Sequence, residues 1–342
     1  MRLHSCKMKK FLLAFSLALF GCSLPFRVTL GTPTQIPTPT QTPAPTQTPL
    51  APPELGTEQN PLILALSPSA RPSNEAITAG DLIAAYIQSR TGYRVVTVVP
   101  ASEQILVEAF NKGNTHIGML SPYGYLLARD TDSVSAILAK VRDGETFYGA
   151  QIIANRDLGF TPYFDEASGE NTTDPATALR QFEEKKACWS DAISPSGYVV
   201  PLGLLNQSQV QIRSEAFLDG QPSVVRAVYV EDICDFGATY IDARQLPALE
   251  ADYADVMDKV IVVWRIPKII PYENISISTK LPIEMRRVIQ RAFIDLMLTT
   301  EGKAALQTLY GIDVMQVVED TTYAEFSAYV KASGLALPDL IK

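Results

Sequence analysis

The chain has 342 residues, 46% hydrophobic and 19% charged, which is enough apolar sequence for two domains or one domain of two lobes. Its 37 acidic residues outnumber 29 basic ones, for a formal charge of −8, which argues against a nucleic-acid partner and a polybasic membrane-binding surface. The four cysteines show no Cys-x-x-Cys spacing, so we expect no metal centre, and no motif indicates a cofactor.

The N-terminus has the pattern of a bacterial secretion signal. In MKKFLLAFSLALFGC, residues 8–22, lysines precede an apolar run that is too short to span a bilayer, and Met8 is an alternative start to Met1. The end of this stretch, LFGC, is similar to a lipobox, which predicts a signal peptide at 1–21 and lipid on Cys22. Removal of the peptide takes away four basic residues and leaves a formal charge of −12. The alternative is an ordinary signal peptide followed by an incidental cysteine.

A Pro/Thr-rich segment follows the cysteine. Residues 31–53 carry eight prolines and no charge, a composition that favours extended chain and cannot bury a core. We predict that residues 22–58 form a stalk, with the folded part held outside the cytoplasmic membrane by the lipid.

The first half of the folded part alternates between apolar runs and amphipathic segments. The runs PLILAL, YRVVTVV, HIGML, VSAILAKV and FYGAQIIAN predict strands. Helices are predicted at Glu75–Thr91, from Ser102 to Gly113, and after Ser121, where the serines suit N-caps and Pro122 suits the first helical position. The alternation predicts an α/β fold with a mainly parallel sheet flanked by helices.

After a polar excursion at residues 158–175, the alternation resumes. Strands are predicted at KACWSD, VQIR and ICDFGATYI, and helices at 176–185, SPSGYVVPLGLLN and QPSVVRAVYVED. The long run KVIVVWRIPKIIPYENISIS predicts extended chain. Three helices, EMRRVIQRAFIDLMLTT, EGKAALQTLY and TYAEFSAYVKAS, complete the chain.

The segment SPSGY, residues 194–198, has the composition of an anion-binding helix start. Unpaired N–H groups and the helix dipole attract anions to such an end without a basic side chain. Ser194 and Ser196 add hydroxyl donors, Gly197 permits close approach, and Pro195 removes one N–H. The alternative is a plain helix cap.

The segment SPYGY, residues 121–125, has the same composition. Ser121 would cap a second helix start, and Tyr123 and Tyr125 would supply phenolic donors or pack against the sheet. Ser67 and Ser102 follow strands and could add hydroxyls, although each alone is more often a cap.

A hydrolase is disfavoured. A Ser-His-Asp site would need His116, which lies at the start of a buried-looking strand, and SPSGY lacks the glycine two residues before the serine of a nucleophile elbow. We predict that the protein is not an enzyme.

Together, PLILALSPS, HIGMLSPYGYLLA and SDAISPSGYVVPLGLL resemble the phosphate, phosphite and phosphonate-binding proteins of ABC importers. The similarity runs from about residue 61 to residue 311. It implies a two-lobed periplasmic-binding-protein fold of type II, with lobe one at 59–149 and 266–342, lobe two at 150–265, and two hinge crossings. It also implies a phosphorus oxyanion as ligand and an ABC permease with its ATPase as partners.

Two departures from the family bear on the ligand. Pro195 replaces the threonine of the family's serine–threonine–serine–glycine motif, and the family's histidine-bearing segment falls at Gln221-Pro222, without a histidine. Asp235 matches a family aspartate that could accept a proton from the ligand or pair with a ligand ammonium, or could simply cap Gly237.

Cys188 and Cys234 are the cysteines of the folded part, and they either pair in the oxidising compartment or remain buried thiols. The alternatives to import are a binding protein for another small anion, a ligand sensor for a signalling receptor, and a surface phosphoesterase. We expect a monomer.

Overall fold

The computed structural model describes residues 54–67, 73–230, 233–312 and 314–341, which belong to one compact unit. The predicted signal peptide, Cys22 and stalk residues 22–53 lie outside the described residues. Within the described ranges, no helix is long and apolar enough to cross a bilayer.

The N-terminal part alternates strand and helix as predicted. Its elements are β1 (Leu62–Ala65), α1 (Asn74–Thr91), β2 (Val95–Val98), α2 (Glu103–Lys112), β3 (Ile117–Leu120), α3 (Pro122–Arg129) and β4 (Val134–Lys140).

The middle part contains the second series of elements. They are β5 (Phe147–Asn155), β6 (Phe164–Asp165), β7 (Glu170–Asn171), α4 (Pro175–Leu179), β8 (Lys186–Trp189), α5 (Val200–Gln207), β9 (Ser214–Phe217), α6 (Gln221–Val230), β10 (Phe236–Tyr240), α7 (Pro247–Asp252), α8 (Val256–Lys259) and β11 (Val260–Pro271). A π-helical turn, Pro195–Val199, leads directly into α5.

The C-terminal part returns to the first sheet and ends in helices. Its elements are β12 (Asn274–Ser278), α9 (Ile283–Leu296), α10 (Thr300–Tyr310), β13 (Met315–Val317) and α11 (Ala324–Ala332).

The strands form two main sheets. The first has the order β13-β4-β12-β3-β1-β2 and the second β11-β5-β10-β8-β9. In the first sheet β1, β2, β3 and β4 run in one direction, and β12 and β13 oppose them. In the second sheet β5 opposes the other four strands. The predicted α/β class, with two sheets flanked by helices, is confirmed; both sheets are mixed, although most strands of each run in one direction.

The two chain crossings between the sheets are strands that pair with each other. β5 leaves the first sheet and β11 returns to it, and they are antiparallel from Val260 opposite Asn155 to Pro271 opposite Phe147. The register shifts between Ile266 and Ile270, which lie within this crossing.

The C-terminal helix α11 contacts both halves of the molecule. It packs against α5 beside the second sheet, where the side-chain amide of Asn206 donates to the carbonyls of Ala332 and Ser333. On its other side, the ring of Phe326 stacks on Tyr123 of α3 at 5.8 Å. A single apolar cluster therefore runs from the first sheet through α11 to the second.

One strand lies later than its apolar pattern predicts. The segment VQIR was predicted as a strand, but β9 begins at Ser214. Val210 is instead buried at the end of α5, and its N–H donates to the carbonyl of Leu205 after Gln209 takes a left-handed conformation (φ 58°). Val210 therefore packs at the end of α5 and does not belong to the second sheet.

Candidate functional site

A cavity of about 650 Å³ lies where the carboxyl ends of strands from both sheets meet, the position at which open α/β sheets bind ligands. Its lining comes from the loops after β3, β4, β8 and β9, from the end of β10, and from the crossing strands. The lining residues are Pro122, Arg142, Asp143, Tyr148, Ser194, Pro195, Ser196, Gln221, Tyr240, Ile241, Pro271, Tyr272 and Glu273.

Three serine hydroxyls lie close together at one wall of this cavity, and two of these serines, Ser194 and Ser196, are lining residues. Ser194 is the N-cap of the turn that begins α5, and its Oγ accepts the N–H of Gly197 at 3.0 Å. Ser196 lies two residues on, and Ser190 follows β8. A Cβ at residue 197 would collide with Ser190 Oγ and Gln221 Nε2, so glycine is required for this packing.

Gln221 joins the three serines into one donor cluster. Its Nε2 lies 3.4 Å from Ser190 Oγ, 3.3 Å from Ser194 Oγ and 3.4 Å from Ser196 Oγ. Since a hydroxyl oxygen that accepts a hydrogen bond keeps its own proton, each serine can still donate. The cluster therefore offers several neutral donors to an anion.

Tyr148 lines the cavity beside this cluster, whereas Tyr123 lies near Tyr148 but is not among the described lining residues. Burial raises the pKa of the Tyr148 phenol well above its usual range, although a hydrogen bond with Ser196 acts in the opposite direction. Burial also raises the pKa of Tyr123 strongly, with smaller effects from Tyr148 and Asp191. The Tyr123 hydroxyl is buried and has no partner among the described residues. Both phenols are therefore protonated donors at neutral pH.

The charged residues of the described lining, two acidic and one basic, come from the loops after β4 and β11. Among the described lining residues, Arg142 is the single basic side chain, whereas Asp143 and Glu273 are acidic. The Arg142 guanidinium lies 5.3 Å from the centre of the Tyr272 ring, and Glu273 is 3.5 Å from Lys140 Nζ. An anion in the cavity would therefore find hydrogen-bond donors at the wall formed by Ser194, Ser196 and Gln221.

Ser121 is the N-cap of α3, and its donors are already used. Both its N–H and its hydroxyl donate to the Glu103 carboxylate, at 2.6 and 2.7 Å. Burial raises the pKa of Glu103, although the two bonds from Ser121 lower it. An internal carboxylate thus occupies the helix start that was predicted to bind the ligand, and only the neighbouring Pro122 lines the cavity.

Two predicted ligand contacts are corrected by the structure. Tyr125 is fully buried in the core, where its hydroxyl donates to Asp320 and its ring lies 4.4 Å from that of Tyr323. Asp235 lies at the amino end of β10, at the opposite edge of the second sheet from the cavity, because β10 and β8 run parallel. Its carboxylate accepts the N–H of Lys186 at 2.6 Å.

The remaining predicted residues have local roles. Ser102 caps α2 through the N–H of Ile105, and Ser67 is half-buried just beyond β1; neither is among the described lining residues. His116 lies at the amino end of β3, where its Nδ1 accepts the N–H of Ile63 at 2.9 Å and burial lowers its pKa. Cys188 and Cys234 form a disulfide with Cα atoms 5.8 Å apart.

Sequence reasoning did not identify Ser190, Tyr148 or Glu103. Ser190 directly follows an apolar strand, a signal that could have been used. Tyr148 lies inside a crossing strand, and Glu103 lies in the first turn of a helix, where acidic residues are common for reasons of capping alone. Neither residue has a local pattern that distinguishes it.

The family model for periplasmic phosphonate-binding proteins of ABC transporters matches residues 66–323. The chain belongs to this family. Its members are extracytoplasmic binding proteins, not enzymes, that present small ligands to a permease and its ATPase.

Solved structures show the same fold at low identity. XAC2383 from Xanthomonas citri bound to chloride ion is 14% identical over 81% of this chain and 98% of that one, with a TM-score of 0.56. The same protein bound to ATP is 13% identical, over 82% and 99%, with a TM-score of 0.55. PhnD1 from Prochlorococcus marinus in complex with methylphosphonate is 13% identical over 79% and 97%, with a TM-score of 0.46. The family match and the fold shared with XAC2383 confirm the predicted two-lobed binding-protein fold.

Proposed function

We propose that the protein binds a phosphorus oxyanion, namely a phosphonate, phosphite or phosphate, in the cavity between the two sheets and delivers it to an ABC importer. The observation that carries the proposal is the donor cluster of Ser190, Ser194, Ser196 and Gln221, of which the last three line the cavity. Family membership supplies the transport role.

Neutral donors suit this ligand because they can be arranged around a tetrahedral anion without the desolvation cost of burying cations. The helix that begins at Pro195 adds the positive end of its dipole at the same point. Pro195 has no N–H, so hydroxyls and the Gln221 amide replace a backbone donor there.

Binding would close the cavity between lobe one (59–149 and 266–342) and lobe two (150–265). The crossing strands β5 and β11 pair with each other and carry Tyr148 and Pro271 to the cavity, so they would serve as the hinge. A ligand that contacts both walls stabilises the closed form by its differential affinity for that form.

The lipid anchor is a second part of the proposal. The lipobox-like LFGC and the charge-free, proline-rich segment support lipid on Cys22 and a stalk. The Cys22→Ala protein should leave the membrane fraction, whereas the parent protein should remain in it; equal partition of the two would overturn the anchor.

Thermal unfolding with methylphosphonate, phosphite, phosphate and sulfate tests the ligand class. A ligand at 100 times its dissociation constant should stabilise the protein by about 2.7 kcal/mol. Ser196→Ala should abolish most of that shift. Ser208→Ala, at the far end of α5, should retain it. A response to sulfate alone, or to none of the four, would contradict the proposal.

A further inference from the structure

The amino end of α3 already holds an anion, the carboxylate of Glu103. Its two oxygens accept the N–H and the hydroxyl of Ser121 at 2.6 and 2.7 Å. A Cβ on Gly124 would collide with the same carboxylate, which therefore lies directly against the first turn of α3. If lobe one bound the oxyanion of a ligand at this helix start, the oxyanion would lie where the Glu103 carboxylate lies.

Moving this carboxylate aside would be costly. Both bonds from Ser121 are charge-assisted, and such bonds are short and about twice as strong as neutral ones. The side chain is partly buried, so a displaced carboxylate would also need new partners in a poorly solvated place. Glu103 is thus fixed at the start of α3, next to the lining residue Pro122.

The charge of Glu103 lies near the two carboxylates of the cavity lining. Glu273 is close enough to act on the Glu103 carboxylate electrostatically, and Asp143 lines the same side of the cavity. Arg142 lines the same side, and Lys140 pairs with Glu273 at 3.5 Å, so three carboxylates face two basic groups and one negative charge is left over. A ligand held by its oxyanion at the serine cluster would extend its other end toward these carboxylates.

We infer that Glu103 is a specificity-determining residue, which restricts the oxyanion to the serine cluster and rejects ligands that carry a second anionic group. The inference rests on the proposed function, because it assigns which phosphorus ligands the same cavity accepts. Compact ligands with one anionic group fit; phosphonocarboxylates and bisphosphonates do not.

Phosphonoacetamide and phosphonoacetate form a matched ligand pair, since they have nearly the same shape and differ by one negative charge. Isothermal titration of the unaltered protein should give at least about tenfold tighter binding of the amide, as expected for one charge several ångströms from a fixed carboxylate. Equal affinity for the two would overturn the inference and leave the proposed function intact. Binding of neither compound, nor of methylphosphonate, would overturn both.

Glu103→Gln tests the residue itself, because the amide keeps the shape and can still accept the N–H of Ser121. The ratio of the affinity for phosphonoacetamide to the affinity for phosphonoacetate should fall about tenfold in this variant, mainly through tighter binding of phosphonoacetate. Glu108→Gln, on an exposed part of the same helix, should keep the parent ratio. An unchanged ratio in a folded Glu103→Gln protein would contradict the assignment.

Discussion

Gln221 is oriented by Tyr240. The side-chain Oε1 of Gln221 accepts the N–H of Tyr240 at 3.0 Å, which turns the Nε2 group toward the three serine hydroxyls. Because the carbonyl oxygen is used, only the donor end faces the cluster. The residue therefore presents only its amide N–H groups to the serine cluster in the proposed site.

Gln221→Leu should weaken methylphosphonate binding by about tenfold to a hundredfold, because the serine hydroxyls lose the amide that orients them and a hydrogen bond to a charged group contributes roughly 1.5–3 kcal/mol. Titration calorimetry measures the loss. Ser223→Ala is the control, because Ser223 lies on the same helix and its hydroxyl donates to the carbonyl of Asp219. Parent affinity in a folded Gln221→Leu protein would remove Gln221 from the site.

A buried ion pair stabilises the second sheet behind the cavity. Arg244 is 2% exposed, and its guanidinium donates to both oxygens of Asp242, with Nη2 at 2.6 Å from Oδ2. Burial alone would raise the pKa of Asp242, but the bonds and charge of Arg244 outweigh it, and the pKa is lowered.

Asp242→Asn should therefore cost about 3–5 kcal/mol of unfolding free energy at pH 7, because it removes the buried carboxylate from Arg244 and leaves only the exposed Glu166 as its acidic partner among the described residues. A carboxyl group with a lowered folded-state pKa stabilises above its unfolded pKa, and this stabilisation is lost as the pH falls through the folded value. The difference in unfolding free energy between Asp242→Asn and the parent protein should therefore become smaller as the pH falls through the acid range. Urea unfolding at several pH values measures it, and Asp252→Asn, at an exposed pair with Arg226, should cost under about 1 kcal/mol.

Helix starts were predictable because their chemistry is local. Ser102, Ser121 and Ser194 each precede a helix, and each accepts an N–H three residues on, as a capping serine does. The order of strands and helices follows from periodicity for the same reason.

Contacts between distant residues were not predictable from the sequence. Tyr125 and Tyr123 occupy the same short helix, yet the first lies in the core against Asp320 and the second near Tyr148. Asp235 matches a family aspartate, but strand direction places it at the wrong edge of the sheet. The partner of each residue is set by how the sheets and α11 pack, which no local pattern records.

The disulfide should make a large contribution to stability. It links Cys188 to Cys234 across 46 residues, and closing a loop of that length stabilises by about 4 kcal/mol in the chain-entropy account. Cys188→Ala/Cys234→Ala should show that loss in urea unfolding, and reductant should have no further effect on the variant. Alkylation of both residues in the denatured, unreduced parent protein would contradict the pairing.

The contribution of Glu103 to the free energy of unfolding should depend on pH in the opposite direction from that of Asp242. Its folded-state pKa is raised, chiefly by burial, so its contribution to stability is present below the unfolded pKa and is lost as the pH rises through the folded value. Relative to the parent, Glu103→Gln should therefore gain stability between about pH 4 and pH 7, since the amide avoids the cost of a buried charge. Urea unfolding at both pH values measures the change, and Glu108→Gln should show none. A relative loss of stability for Glu103→Gln on going to pH 7 would mean that the two bonds from Ser121 outweigh burial at this carboxylate.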